Sequence, residues 1–246
     1  MTRTIKLTLA YDGTEYVGWQ RQAKGASIQG LVEGALARIE GREVAVVGAG
    51  RTDAGVHALG QVASASVETA LDCLSLRRAL NSMLPENVRV LLVEEAGAEF
   101  HARFSAISKT YRYQIFNGEV VSPFERRYVW HVSRPLDVES MARAASRLEG
   151  AHDFTAFQAS GGLAAATVRT MTRSAIVRAG SLIVYEISGD GFFRHMVRTI
   201  VGSLVAIGSG ARDEDWLLGA LASRDRRHAG PTAPAHGLFL VRVEYR

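Results

Sequence analysis

Cys73 is the only cysteine in 246 residues, so neither an internal disulfide nor a thiolate-rich metal site can form. The seven histidines show no spacing that reads as a ligand pair. No apolar run approaches the length of a membrane-spanning helix. Met1 to Lys6 enter an alternating pattern at once and lack the apolar core of a secretion signal, which makes a cytoplasmic location the expectation. Lysine is scarce, three residues against 26 arginines. Arginine's planar fork suits phosphate, although the many Ala and Gly residues fit a GC-rich coding bias equally well. The sign of the charge says more than this ratio. A formal net charge of +4 favours a polyanionic partner.

The residues that are present are enough for a core. Hydrophobic residues make up 47% and charged residues 22%, which excludes disorder by composition. Ile5, Leu7 and Leu9 alternate with Lys6 and Thr8, the pattern of a half-buried strand. Ser27 caps a helical stripe of Ile28, Leu31, Val32, Ala35, Leu36 and Ile39. Val44 to Val47 and the alternating residues 63–67 read as strands. Leu76, Leu80, Met83 and Leu84 mark a second helix stopped by Pro85, and Val88 to Val93 a further strand. The order is β-α-β-β-α-β, the split βαβ arrangement.

A looser version of that order follows. Residues 109–115 alternate, with Tyr111, Tyr113 and Ile115 on one face. Asp137 caps a helix of Val138, Met141, Ala145 and Leu148. Residues 169–178 and 182–188 form a strand pair turning at Gly180. Gly191 opens a helix bearing Phe193, Val197, Ile200, Leu204 and Ile207. A short helix near Trp216 and a final strand of Phe239, Val241, Val243 and Tyr245 complete the chain. The expected architecture is α+β, with two halves, residues 1–104 and 105–246, whose mostly antiparallel sheets flank a cleft.

The most informative segment is Gly48-Ala-Gly-Arg-Thr-Asp-Ala-Gly-Val-His57, between two expected strands. Its glycines permit tight turning and close approach of a substrate. Arg51 beside Asp53 favours the ionised carboxylate, which suits a nucleophile or an electrostatic stabiliser. An Asp capping a turn, paired to Arg51, is the simpler reading of the same residues. The loop lacks the Lys-Ser/Thr of a phosphate-binding loop and the glycine spacing of a dinucleotide fingerprint. Tyr111 either packs in the core or stacks on a base. Arg198 sits among Met196, Val197, Ile200 and Val201 and needs a partner unless it snorkels. Arg194, one turn earlier, is expected on the same face. Arg224-Asp-Arg-Arg-His228 before Gly-Pro-Thr-Ala-Pro234 reads as a basic loop, able to meet phosphates or simply solvated.

These segments resemble the bacterial tRNA pseudouridine synthase A family, the tRNA pseudouridine(38–40) synthases. The resemblance is carried by residues 11–22, 27–30, 48–57 and Phe100-His-Ala-Arg-Phe-Ser-Ala106. It continues through Tyr111-Arg-Tyr113, His152-Asp-Phe154, Gly191 to Arg198 and Ala229 to Pro234. The resemblance implies two RRM-like, ferredoxin-like halves about a basic cleft, the pseudouridine synthase fold. It implies isomerisation of uridines 38, 39 and 40 in the anticodon stem-loop of tRNA, with no cofactor and no metal, by a cytoplasmic homodimer. The catalytic residues it implies are Asp53, Tyr111 and Arg198. Arg51, Thr52, His57, Arg194 and His195 are the expected substrate-binding residues. Two rivals follow from the same residues: a non-catalytic RNA-binding protein, and a hydrolase that would release free uracil.

Overall fold

In the computed structural model the residues described are 2–159 and 166–246. The elements run β1 Arg3–Tyr11, α1 Ile28–Glu40, β2 Val47–Gly48, β3 His57–Val67, α2 Cys73–Met83 and β4 Val88–Ala96. Then come β5 Ala106–Phe116, β6 Trp130–His131, α3 Val138–Ser146, β7 Gly150–Asp153, β8 Val168–Ala179 and β9 Leu182–Gly189. Helices α4 Met196–Gly208 and α5 Glu214–Ser223 precede the last strand, β10 Leu238–Tyr245. The fold is mixed α+β with mostly antiparallel strands. It divides into two compact units, Met1–Ile107 with Leu240–Arg246, and Ser108–Phe239. The sequence reading set its boundary between 104 and 105; by contact the last seven residues group with the first unit.

The first unit has the order β-α-β-β-α-β expected for it. Its strands lie β4-β1-β3, with β2 paired to β3 and the C-terminal strand also beside β3. The alternation in β1 has its physical reason here. Ile5, Leu7 and Leu9 are fully buried, as are Ile28, Val32 and Leu36 of α1 and Leu76 and Leu80 of α2. Each such side chain stabilises the fold by roughly 1.5–3 kcal/mol before entropy is counted. Helix α1 starts where Ser27 Oγ accepts the Gly30 N–H at 3.2 Å and stops at Gly41, whose φ of +68° is left-handed. Asp72 caps α2 by accepting from Ser75 N at 2.7 Å, and this bond holds its carboxyl below the usual range. Helix α2 ends at Met83, ahead of Pro85, as the sequence reading expects.

One strand is shorter than expected. Of 44–47 only Val47 enters the ladder, opposite Ser64. The reason lies in α1: Gln29 Nε2 donates to Val46 O at 3.0 Å and Val46 N donates to Glu33 Oε1 at 3.2 Å. Helix side chains thus satisfy the backbone groups a neighbouring strand would have taken.

The second unit has strand order β5-β9-β8-β7, with β6 parallel to β5. Strands β8 and β9 form the expected hairpin, and Gly180 at its turn has φ +60°. Tyr113, Tyr185 and Ile187 from the sheet and Met141, Ala145, Ile200 and Leu204 from the helices are buried. Asp137 caps α3 through Ser140 N at 3.0 Å. Helix α4 begins at Met196, not near Gly191. His195 before it has φ +63°, a left-handed conformation that cannot continue a right-handed helix. Phe193 and Arg194 therefore precede the helix.

Candidate active site

The Asp53 loop leaves β2 and returns into β3, and backbone hydrogen bonds hold it on both sides of Asp53. Ala49 N donates to Val62 O at 2.7 Å, Trp19 N to Thr52 O at 3.1 Å, Gly55 N to Tyr16 O at 3.4 Å, and Val56 N to Asp53 O at 3.1 Å. Two close approaches lock the same segment. A Cβ at Gly18 would lie 2.5 Å from Thr52 O, and one at Gly13 would lie 2.0 Å from Val56 O. Gly18 also has φ +104°, so only glycine fits there without strain.

Buried side chains complete the clamp. The Tyr11 hydroxyl and Thr52 Oγ1 are 2.8 Å apart. Gln61 Nε2 donates to Gly50 O at 2.9 Å and to the Tyr11 hydroxyl at 3.4 Å. Burial pushes the Tyr11 phenol up to about 12, against the pull of Thr52 and Gln61, so it stays a donor through the physiological range. Thr52 is 6% exposed and His57 is 1% exposed. Gly13 N donates to His57 Nδ1 at 3.0 Å. That nitrogen also lies 3.1 Å from Asp12 Oδ1. Thr52 and His57, expected as substrate contacts, are thus engaged with Tyr11 and the Asp12-Gly13-Thr14 turn. By contrast Asp53 is half-buried and Arg51 is exposed.

The second unit carries the other expected residues. Tyr111 lies on β5 opposite Ile187 of β9, is 7% exposed, and meets the Phe192 ring edge-on at 5.0 Å. Tyr113 is the packing tyrosine: it is fully buried, and its hydroxyl donates to Pro234 O at 2.7 Å. Burial raises its pKa. Arg194 is exposed and His195 is half-buried. Arg194 lies outside the helix, so it is not one helical turn from Arg198 on a shared face. His195 and Arg224 are the two non-glycine residues with positive φ among the described residues. Such strain persists only where its surroundings enforce it.

Arg198, half-buried in the first turn of α4, has partners the sequence did not reveal. Its Nε donates to Ala233 O at 2.8 Å, and Ala233 N donates back to Arg198 O at 3.1 Å. The loop 229–234 is seated on α4 all along this stretch. Gly230 N donates to Ser203 Oγ at 2.8 Å, and a Cβ at Gly202 would fall 1.8 Å from Pro231 O. The stretch that follows the basic run Arg224–His228 thus braces Arg198 through Gly230 and Ala233, while Arg224, Arg227 and His228 themselves are exposed. Among the described residues no group of three or more His, Cys, Asp or Glu could hold a metal ion, and no helix is long and apolar enough to cross a membrane.

Sequence reasoning assigned no role to Tyr11, Trp19, Gln61, Gly202 or Ser203. Tyr11 carried a usable signal: it ends an otherwise aliphatic face, and a buried phenol needs a hydrogen-bond partner.

A family model described as tRNA pseudouridine synthase matches residues 8–105 and 144–246. Tyr111 falls between the two stretches, whereas Asp53 and Arg198 fall within them. The chain is 47% identical over 243 residues to the tRNA pseudouridine synthase A of Moorella thermoacetica, covering 98% of this chain and 99% of that protein. It is 48% identical over 246 residues to that of Solibacter usitatus, covering 99% and 100%. With that of Acetivibrio thermocellus it shares 44% over 243 residues, covering 99% and 100%.

Proposed function

The chain belongs to the tRNA pseudouridine synthase family, and from that premise we propose that Asp53 is the catalytic carboxylate of an isomerase acting on uridines 38, 39 and 40 of the tRNA anticodon stem-loop. The conversion of uridine to pseudouridine breaks the N1–C1′ bond, turns the base and joins C1′ to C5. The C5 proton leaves and N1 gains one, so product and substrate are isomers. No oxidant, reductant or energy source enters the balance.

A carboxylate suits the step because C1′ becomes electron-poor as N1 departs. It can stabilise or trap that carbon, or begin proton removal from the sugar. Arg198 and Tyr111 are the other proposed catalytic residues, Tyr111 as the ring that stacks on the turned base and takes part in C5 proton transfer. Arg51, Arg194 and His195 are proposed to contact the substrate. Thr52 and His57 are proposed to act by holding the Asp53 loop. The target base must leave its stack, at a cost of a few kcal/mol that is least in loops and stem ends. We further infer a homodimer in the cytoplasm that binds tRNA through arginine contacts to phosphate.

The observation that carries this reading is the construction of the Asp53 loop. Thr52 and Gly55 are pinned on either side while the carboxylate between them stays half-buried. Preorganisation of that kind holds a charge where a transition state needs it. The test is Asp53→Asn with unmodified tRNA, scored by carbodiimide primer-extension mapping. Turnover is expected to vanish while affinity stays within about 1 kcal/mol, since phosphate contacts are untouched. Near-normal pseudouridine formation by the variant would refute the assignment.

A further inference from the structure

We propose that His101, Arg103 and Phe104 form a stacking platform for an unpaired base of the tRNA; the inference rests on the proposed substrate. Phe104 is 77% exposed. A single exposed apolar residue is ordinary, but the construction beneath this one is not that of an idle loop tip. Ala102 is fully buried and is held from two sides: its N–H donates to Ser64 Oγ at 3.1 Å, and its carbonyl accepts the Tyr245 hydroxyl at 2.8 Å. Ser105 N donates to His101 O at 2.9 Å, and His101 N donates to Ser105 Oγ at 3.1 Å. His101 Nδ1 accepts the N–H groups of both Arg103 and Phe104 at 3.2 Å. The buried anchor and the closed turn leave Phe104 little freedom to fold inward.

The ring is already part of a stack. His101 and Phe104 lie 4.3 Å apart between centroids with planes at 25°. The Arg103 guanidinium lies 5.6 Å from the Phe104 centroid. An exposed aromatic ring that carries a guanidinium over it supplies both parts a nucleotide needs, ring surface for the base and a cation for the phosphate. A protein partner would need a wider apolar surround, whereas Arg103, next to the ring, is exposed.

The test measures binding of unmodified tRNA to the full chain carrying Phe104→Ala, Phe104→Leu or Phe104→Trp. Stacking predicts about tenfold weaker binding for Phe104→Ala. Phe104→Trp should bind within about twofold of the parent, and Phe104→Leu should stay close to the alanine variant, because leucine keeps apolar bulk without a π face. Unfolding midpoints should not move, since the side chain is mostly in solvent. Equal affinity for Phe104→Ala, full rescue by leucine, or a changed sedimentation coefficient would each overturn the platform; the last would seat the ring against a second copy of the chain. Turnover of the parent protein, scored in parallel, separates the two ideas. An inactive parent refutes the proposed activity, while the binding comparison still decides the role of Phe104.

Discussion

Replacing Tyr11 with phenylalanine removes one oxygen from the centre of the clamp around Asp53. The ring stays, 6.4 Å from Trp19, and packing is unchanged. What is lost is the 2.8 Å bond with Thr52 Oγ1 and an acceptor for Gln61 Nε2. Gln61 keeps its bond to Gly50 O, so the larger loss falls on Thr52, a buried hydroxyl left without this partner. A buried hydrogen bond broken on one side costs about 1–2 kcal/mol. For a chain of this size that corresponds to a fall in melting temperature of roughly 2–8 °C. Thr52→Val removes the other side of the same bond at a similar cost. The two changes share one interaction, so the double variant should be less destabilised than the sum by about 1 kcal/mol. Urea unfolding of the four proteins, followed by tryptophan fluorescence, gives the cycle. Turnover should fall more than tRNA affinity in Tyr11→Phe, because the loop backbone shifts while phosphate contacts persist. Additive single-variant effects, within about 0.5 kcal/mol, would refute the clamp as drawn.

Gly202→Ala sets two effects against each other. Alanine is favoured over glycine inside a helix by about 1 kcal/mol, but a methyl 1.8 Å from Pro231 O displaces the brace of Arg198. Overpacking and the loss of the Ser203 and Ala233 bonds win, for a net destabilisation of about 2–4 kcal/mol with reduced turnover. Gly34→Ala in α1, where a Cβ meets nothing within 4 Å, should stabilise instead. Urea midpoints of both variants check the sign, and equal effects would show that the brace is soft. At alkaline pH the sign follows from the tyrosines. Tyr11 is raised by burial from 10.0 to about 12, and burial also raises Tyr113 and Tyr185. The unfolded chain therefore releases phenol protons first, and stability should fall as pH rises from about 10 to 12. Phenol absorbance should rise together with unfolding; ionisation of these tyrosines in the intact fold would contradict their burial.

The elements that could be read from sequence were those whose periodicity meets one buried face and one wet one. Strand β1 and helix α1 are of this kind, and so are the ends set by Ser27, Asp137 and Pro85. Strand β3 hid half its length because His57, Ala58, Gly60, Gln61 and Val62 are all buried, and burial on both faces erases alternation. The four residues of β7 are too few for a period. The start of α4 was misplaced because a left-handed His195 leaves no trace in a pattern of side chains. Asp53, Tyr111 and Arg198 stood out through short motifs and family resemblance. Their supports did not, since Tyr11 is 42 residues from Asp53 and Ala233 is 35 from Arg198. Such partners become neighbours only through tertiary packing.

The first unit is built from both ends of the chain. Tyr245 sits with its ring 5.0 Å from Phe100 and its hydroxyl on Ala102, beneath the exposed Phe104. During synthesis that tyrosine is made 143 residues after Ala102. The first unit therefore stays unfinished until residues 240–246 have been made, and deleting them would loosen a loop encoded some 140 codons upstream.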